Sequence, residues 1–226
     1  VKTVQNSLEN YELGIAVQNL YDFIWDVFCD WYIEIAKIRL NGDNEEAKKT
    51  AKAVLVYVMS NTLKLLHPFM PFITEEIWLA LPHDGESIMI SEWPKFDDAL
   101  NFPVEETAME RIMSAIKAIR NRRAEMNVPP SKKAKLYIAT KYIEEFTNGS
   151  VFMNRLASAS EVEVGADFEI EGSVSVVTES AKIFIPLNEL VDFEAERARL
   201  QKELDAANKD LQFVSNKLNN PGFVAK

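Results

Sequence analysis

Two groups of residues in this chain have the types and spacing to act on a partner, and both are cationic. The larger group lies at positions 111–135, which hold 8 basic residues and 1 acidic residue. Lys117, Arg120, Arg122 and Arg123 close a helical pattern there, and Lys132, Lys133 and Lys135 follow Pro129-Pro130. Cations concentrated in this way suit phosphate, which responds to the local field rather than to total charge. Arg123 falls on the apolar stripe of its helix, so an internal salt bridge is an equal reading for it. The lysines at 132, 133 and 135 read equally as solvated. The second group is Lys37 and Arg39 with Leu40 and Asn41, just before Gly42. Two cations and an open turn at a helix tip can serve as a recognition element. The plainer reading is that they offset the macrodipole at a helix C-terminus.

The rest of the chain is acidic or neutral. Residues 1–110 carry 8 basic and 19 acidic residues, residues 136–192 have a net charge of −7, and the last 34 residues have +1. The overall charge of −10 over 226 residues argues against a general nucleic-acid binder. The segregation still leaves room for a local one. Other chemistries lack their residues. The 7 glycines are scattered singly, without a Gly-rich phosphate loop. With 2 histidines and 1 cysteine, far apart, the sequence offers neither a zinc cluster nor a nucleophile–base pair. His67 precedes a proline without a second ligand at metal spacing, and His83 lies in the loop PHDGES. Glu75-Glu76 and Asp97-Asp98 read as solvated acids at helix starts or in loops. The run SKKAK at 131–135 superficially resembles a nucleotide-binding Lys-Ser-Lys loop but lacks its surroundings. No catalytic residue, metal or cofactor is assigned to this chain alone.

The elements that must position these cations are mostly helical. Residues 2–10 read as the end of a helix, and a long one follows from about Leu13 to Leu40. Leu20, Ile24, Val27, Trp31, Ile35 and Ile38 recur in steps of three and four, which defines one apolar stripe. Asp43 is the expected cap of the next helix, with Glu46 completing a capping box. Pro68 and Pro71 separate that helix from another ending near Leu81. SIMISEWP at 87–94 alternates and reads as a short extended segment anchored by Trp93. A helix from about Val104 to Met126 buries Met109, Ile112, Ile116, Ile119 and Met126. The period then changes to that of strands at 135–140, 161–165, 173–177 and 181–187, with one helix over 141–158. From Leu187 a heptad-like seam runs through Leu200, Leu204, Ala207, Leu211, Val214 and Leu218. NNPG at 219–222 is a turn after which a partner helix is expected, so the chain reads as a fragment of something larger. Cys29, inside an apolar helix, suggests a reducing compartment. No apolar run reaches the roughly 18–20 residues of a membrane span.

Five segments together carry a family resemblance: FIWDVFCDWYIEIAK, LKLLHPFMPFITEEIW, ISEWP, AIRNRRAEMNVPPSKK and the terminal AERARLQKELDAANKDLQFVSNKLNNPGFVAK. In this order, across nearly the whole chain, they resemble the C-terminal portion of the valyl-tRNA synthetases, which are class I aminoacyl-tRNA synthetases. The HPFMPFITEEIW type of segment is shared with the isoleucyl, leucyl and methionyl enzymes. The FCDWYIE and RAEMNVPPSKK segments and the closing NNPGFVAK point to the valyl family.

The resemblance implies a mainly α fold: an anticodon-binding helical bundle over 1–130, a small α+β unit over 131–188, and the first helix of a coiled-coil arm over 189–226. It implies binding of the valine tRNA anticodon stem-loop and outer corner during ATP-dependent aminoacylation in the cytoplasm. Catalysis, ATP use and editing would lie in upstream domains of the same chain, and the family's His-x-Gly-His and Lys-Met-Ser-Lys-Ser signatures are absent here. Splayed anticodon bases are read by stacking and by edge hydrogen bonds. Lys37, Arg39, Leu40 and Asn41 are the expected loop-facing residues: cations for phosphates, Leu40 as an apolar platform, Asn41 for a base edge. Arg120, Arg122 and Arg123 are expected at the stem backbone, with Lys132 and Lys133 beside them. Arg199, Lys202 and Lys209 are expected at the tRNA corner, against the reading of Arg197, Lys217 and their neighbours as ordinary coiled-coil flanks. A different class of function is a helical protein-interaction module, pairing or dimerising through the exposed seam.

Overall fold

The computed structural model describes residues 1–190 and the backbone of 193–218, with side chains in that last stretch described from 201 to 216. The chain forms two compact units, Val1–Pro103 and Val104–Lys226. The first is wholly helical. It contains α1 (Lys2–Glu9), α2 (Leu13–Asp22), a π-helical segment (Phe23–Ile33), α3 (Glu34–Leu40), α4 (Glu45–Leu66) and α5 (Pro71–Leu79). One core gathers Val4, Ala16, Leu20 and Leu65, with Leu8, Leu66, Phe69 and Trp93 packed on it. A second gathers Leu63, Trp78 and Ile88. Trp93 anchors its segment as expected. Ile88–Ile90, however, is a 3-10 turn capped by the Ser87 hydroxyl rather than an extended run.

The long helix runs without a break from α2 through α3, but its middle changes hydrogen bonding. From Phe23 to Ile33 the ladder is i→i+5. Each turn then holds more residues, so steps of three and four no longer return to one face. Leu20, Phe28, Trp31 and Ala36 are buried, whereas Val27 is 48% exposed. The expected stripe is corrected on this point: Val27 lies off the buried side, and Ile24, Ile35 and Ile38 are only half-buried. Cys29 is a free thiol, also half-buried.

The start of α4 also differs from expectation. Asn44, not Asp43, is the cap: its extended backbone directly precedes Glu45, and its side chain accepts from the Glu46 and Ala47 amides at 3.1 and 3.0 Å. In the first turn of α5, Thr74 is fully buried and donates to the Met70 carbonyl at 2.8 Å. That leaves its oxygen to accept from His67 Nδ1, 2.7 Å away. His67 is thereby committed to the turn between the helices.

The second unit begins with α6 (Pro103–Glu125) and continues as β1 (Ala134–Ala139), α7 (Ile143–Asn148), α8 (Ser150–Leu156), β2 (Ala159–Gly165), β3 (Ser173–Val177), β4 (Lys182–Pro186), α9 (Leu187–Leu190) and α10 (Phe193–Leu218). The sheet order is β2-β1-β4-β3, with β1 parallel to β2 and the other pairs antiparallel. A parallel pair needs a crossover, and α7 and α8 supply it. Two short helices stand where one was expected over 141–158, because the chain breaks at Gly149. A side chain there would place its Cβ 2.5 Å from Ile112 Cδ1, so Ile112 of α6 would have to shift to admit one.

Alternation along β1 buries Ala134, Leu136 and Ile138. On α6 the buried face is Ile112, Ala115, Ile116, Ile119 and Arg123. Side chains tie α6 to the α+β layer. Arg111 pairs with Glu145 on α7 at 2.8 Å and lies over the Tyr142 ring. These ties join α6 to the α+β layer within the compact unit Val104–Lys226.

Candidate nucleic-acid interface

At the tip of α3 the helix ends on Asn41, whose amide bonds back to the Lys37 carbonyl at 3.0 Å. Arg39 and Asn41 are exposed, and Leu40 is half-buried. Lys37 forms an ion pair with Glu34 one turn back. The turn leading into α4 is held by the Asn44 cap, so the loop at this tip has a defined shape. Arg39 is therefore the outward cation of the group. An exposed cation beside an exposed amide and an apolar side chain can meet a phosphate, a base edge and a base face respectively.

The basic segment at 111–135 does not act as one patch. Arg122 pairs with Glu125 at 2.9 Å, and both are exposed. Arg120 is exposed, yet its Nε donates to the Leu156 carbonyl at 2.6 Å, joining the end of α6 to the end of α8. Arg123 is 4% exposed and its Nη2 donates to the backbone carbonyls of Pro129 and Lys132. The internal salt bridge considered for it is absent among the described residues; main-chain oxygens take the carboxylate's place. Burial lowers its pKa, but a guanidinium remains charged throughout the accessible range. Lys132 is half-buried and Lys133 exposed. Lys135 bridges Glu163 at 2.5 Å and Glu161 at 3.0 Å on the neighbouring strand. Its pKa is raised, first by the hydrogen bond it donates to Glu163 and then by the one it donates to Glu161. The solvated reading of Lys135 is thus replaced by a cross-strand role.

On α10, Lys202 and Lys209 are exposed, as are the seam residues Leu204, Ala207, Leu211 and Val214. The side chain of Arg199 lies outside the described residues. No group of three metal-ligating side chains is present among the described residues. Nor is any described helix long and apolar enough to cross a membrane.

Residues 1–138 match the model of the anticodon-binding domain of tRNA ligases, and residues 192–226 match that of the valyl-tRNA synthetase tRNA-binding arm. The chain belongs to the anticodon-binding domain family of tRNA ligases. Its relatives narrow that class. It is 45% identical over 230 residues to the valine–tRNA ligase of Listeria innocua, 45% over 232 residues to that of Geobacillus stearothermophilus and 43% over 231 residues to that of Oceanobacillus iheyensis. Each alignment covers 100% of this chain and 26% of the relative, so the chain spans about a quarter of the length of the curated relatives it matches. The match is to the anticodon-binding part of those enzymes, not to a catalytic domain. The resemblance expected from the motifs is the one found, and a protein-interaction module is not favoured.

Proposed function

We propose that this chain is the tRNA-binding portion of a valine–tRNA ligase, receiving the anticodon stem-loop of valine tRNA on its helical unit and the outer corner of the tRNA along α10. The observation that carries the reading is the alignment of the entire chain with valine–tRNA ligases, with an anticodon-binding match followed in order by a tRNA-binding-arm match. The α3 tip supports it locally. Arg39 faces a loop phosphate, Asn41 a base edge and Leu40 a base face; Lys37, held by Glu34, adds field strength rather than a direct contact. Lys202 and Lys209, with Arg199, meet the corner. ATP and the upstream catalytic and editing domains serve the same ligase, acting in the cytoplasm where translation occurs. The exposed Leu204, Leu211 and Val214 also favour self-association of the isolated chain, which a rise of mass with concentration reveals.

The test is a titration against valine tRNA and an anticodon-swapped control at two salt concentrations. A preference for the valine anticodon that weakens with salt is expected, and Arg39→Gln should remove most of it while leaving the fold intact. Equal binding to both tRNAs would reduce the helical unit to a backbone-contact surface.

A further inference from the structure

The sheet of the second unit ends on β2 at one side and on β3 at the other, and the two edges are protected differently. Glu161 and Glu163 stand on β2, and Lys135 bridges both from β1. Charges on an edge strand discourage a further strand from pairing with it. β3 reads SVSVV, without a charge or a proline, and its register with β4 is regular. Among the described residues no strand pairs on its outer side.

The ladder with β4 shows which backbone groups are left over. The Thr178 amide donates to the Ala181 carbonyl at 2.9 Å, and the Leu187 amide donates to the Gly172 carbonyl at 3.0 Å. Bonded and non-bonded pairs alternate along an antiparallel ladder. Between those two bonds, Val174↔Ile185 and Val176↔Ile183 are therefore the bonded pairs. Ser173, Ser175 and Val177 turn their N–H and C=O groups away from β4. Pro186, which has no N–H, falls opposite Ser173, as that alternation requires. Ser175 is exposed and Val177 is 71% exposed, so the outer side of the strand is open.

Charge selects what can pair there. Residues 156–181 hold six acidic residues and no basic one. Lys135 offsets Glu161 and Glu163. Glu171 and Glu179 flank β3 at its two ends; both are exposed and form no ion pair among the described residues. A second copy of the chain is a poor occupant. Antiparallel pairing of two β3 strands about Ser175 sets Glu171 of each copy opposite Glu179 of the other, and like charges directly opposite are destabilising. An extended segment with a cation towards each end meets both carboxylates and satisfies the open backbone groups.

We propose that β3 is a docking edge for an extended basic segment of a partner protein, which adds as a strand beside β3 with lysine or arginine side chains near Glu171 and Glu179. Main-chain hydrogen bonds supply the affinity, and the two carboxylates supply the choice of partner. The edge does not depend on the tRNA-binding function proposed above.

The probe is the amidated peptide KKVTVTVKK, labelled and titrated with the full chain by fluorescence anisotropy. Its controls are EEVTVTVEE and a KKVTVTVKK N-methylated at every valine and threonine, so that neither edge of the peptide can donate. The variants are Ser175→Pro, which removes an outward N–H and spares the bonds to β4, and Val177→Lys, which puts a cation on the edge. Thermal midpoints show whether each variant folds; if Ser175→Pro does not, Val177→Lys carries the comparison. KKVTVTVKK should bind the wild type and slow hydrogen exchange at the Ser175 and Val177 amides. N-methylation and either variant should weaken binding about tenfold or more, and EEVTVTVEE should not bind. Absence of binding at about 1 mM peptide would overturn the proposal. Equal binding of the N-methylated peptide would mean a contact between charges only, without an added strand, and would overturn it too. Equal binding of EEVTVTVEE would remove the basic partner. Dimerisation of the chain that Ser175→Pro abolishes would place a second copy on the edge instead.

Discussion

The tip of α3 and the shared end of α6 and α8 are both basic, but the fold spends their cations differently. At the α3 tip Arg39 is exposed and forms no hydrogen bond with the main chain of the described residues. The loop gets its shape from an uncharged cap, Asn44, so the cation can change without cost to the fold. At the end of α6, Arg120 and Arg123 each bond to main-chain carbonyls, and Arg123 is buried. There the charge is part of the structure. The contrast teaches that a run of basic residues is not a surface. Of the seven cations from Lys117 to Lys135 singled out in the sequence, at least Arg120, Arg122, Arg123 and Lys135 are held by partners within the second unit. Arg155, which was not singled out, lines one cavity with Arg120 and Arg123.

The sharpest break of this comparison is Arg123→Ala. It strands the Pro129 and Lys132 carbonyls and empties a buried volume, so it should cost about 2–4 kcal/mol of stability in urea denaturation. An unchanged midpoint with weakened tRNA binding would make Arg123 a contact residue like Arg39, and the contrast would collapse. Asn44→Ala comes next. It removes two hydrogen bonds to the first turn of α4 and should cost about 1 kcal/mol, with a loss of anticodon preference as the loop loosens. Were the preference untouched, the shape of that loop would not matter to recognition. The smallest effect is at Lys135, whose pKa is raised in the folded state. Its contribution is fully present below the unfolded lysine value of about 10.4 and is lost as pH rises through the folded value. Lys135→Met should therefore leave the dependence of stability on pH unchanged between about pH 6 and 9 and alter only the alkaline limb. A change near neutrality would mean that Lys135 does something other than bridge the two strands.

Much of the architecture was legible in the residues. Alternation located all four strands to within two residues, because burying one face of a sheet imposes a period of two that little else imitates. The apolar steps of α6 located Ile112, Ile116 and Ile119 on its buried face with Arg123 in register, whereas Met109 and Met126, expected there too, are only half-buried. The α3 tip was legible for the same reason: a helix breaker after two basic residues is a local event. Failures came where geometry departed from the ideal period or where the decisive partner was distant in sequence. The i→i+5 ladder from Phe23 to Ile33 turned Val27 off the buried side, and no local residue announces such a ladder. The pattern over 141–158 divides at Gly149, where Ile112, far away in sequence, occupies the space a side chain would need.

The sequence by itself determined the family, the alternation of helix and strand and the presence of a basic segment, since these follow from composition, period and order along the chain. Only the tertiary structure decided which cations face outward. A guanidinium at a helix end looks the same in sequence whether it meets water, a carboxylate or a carbonyl from another element. Packing α8 against α6 brings Arg155 beside Arg120 and Arg123 across more than thirty residues of chain. No periodicity could have paired them, because the distance between them is set by the fold and not by the spacing.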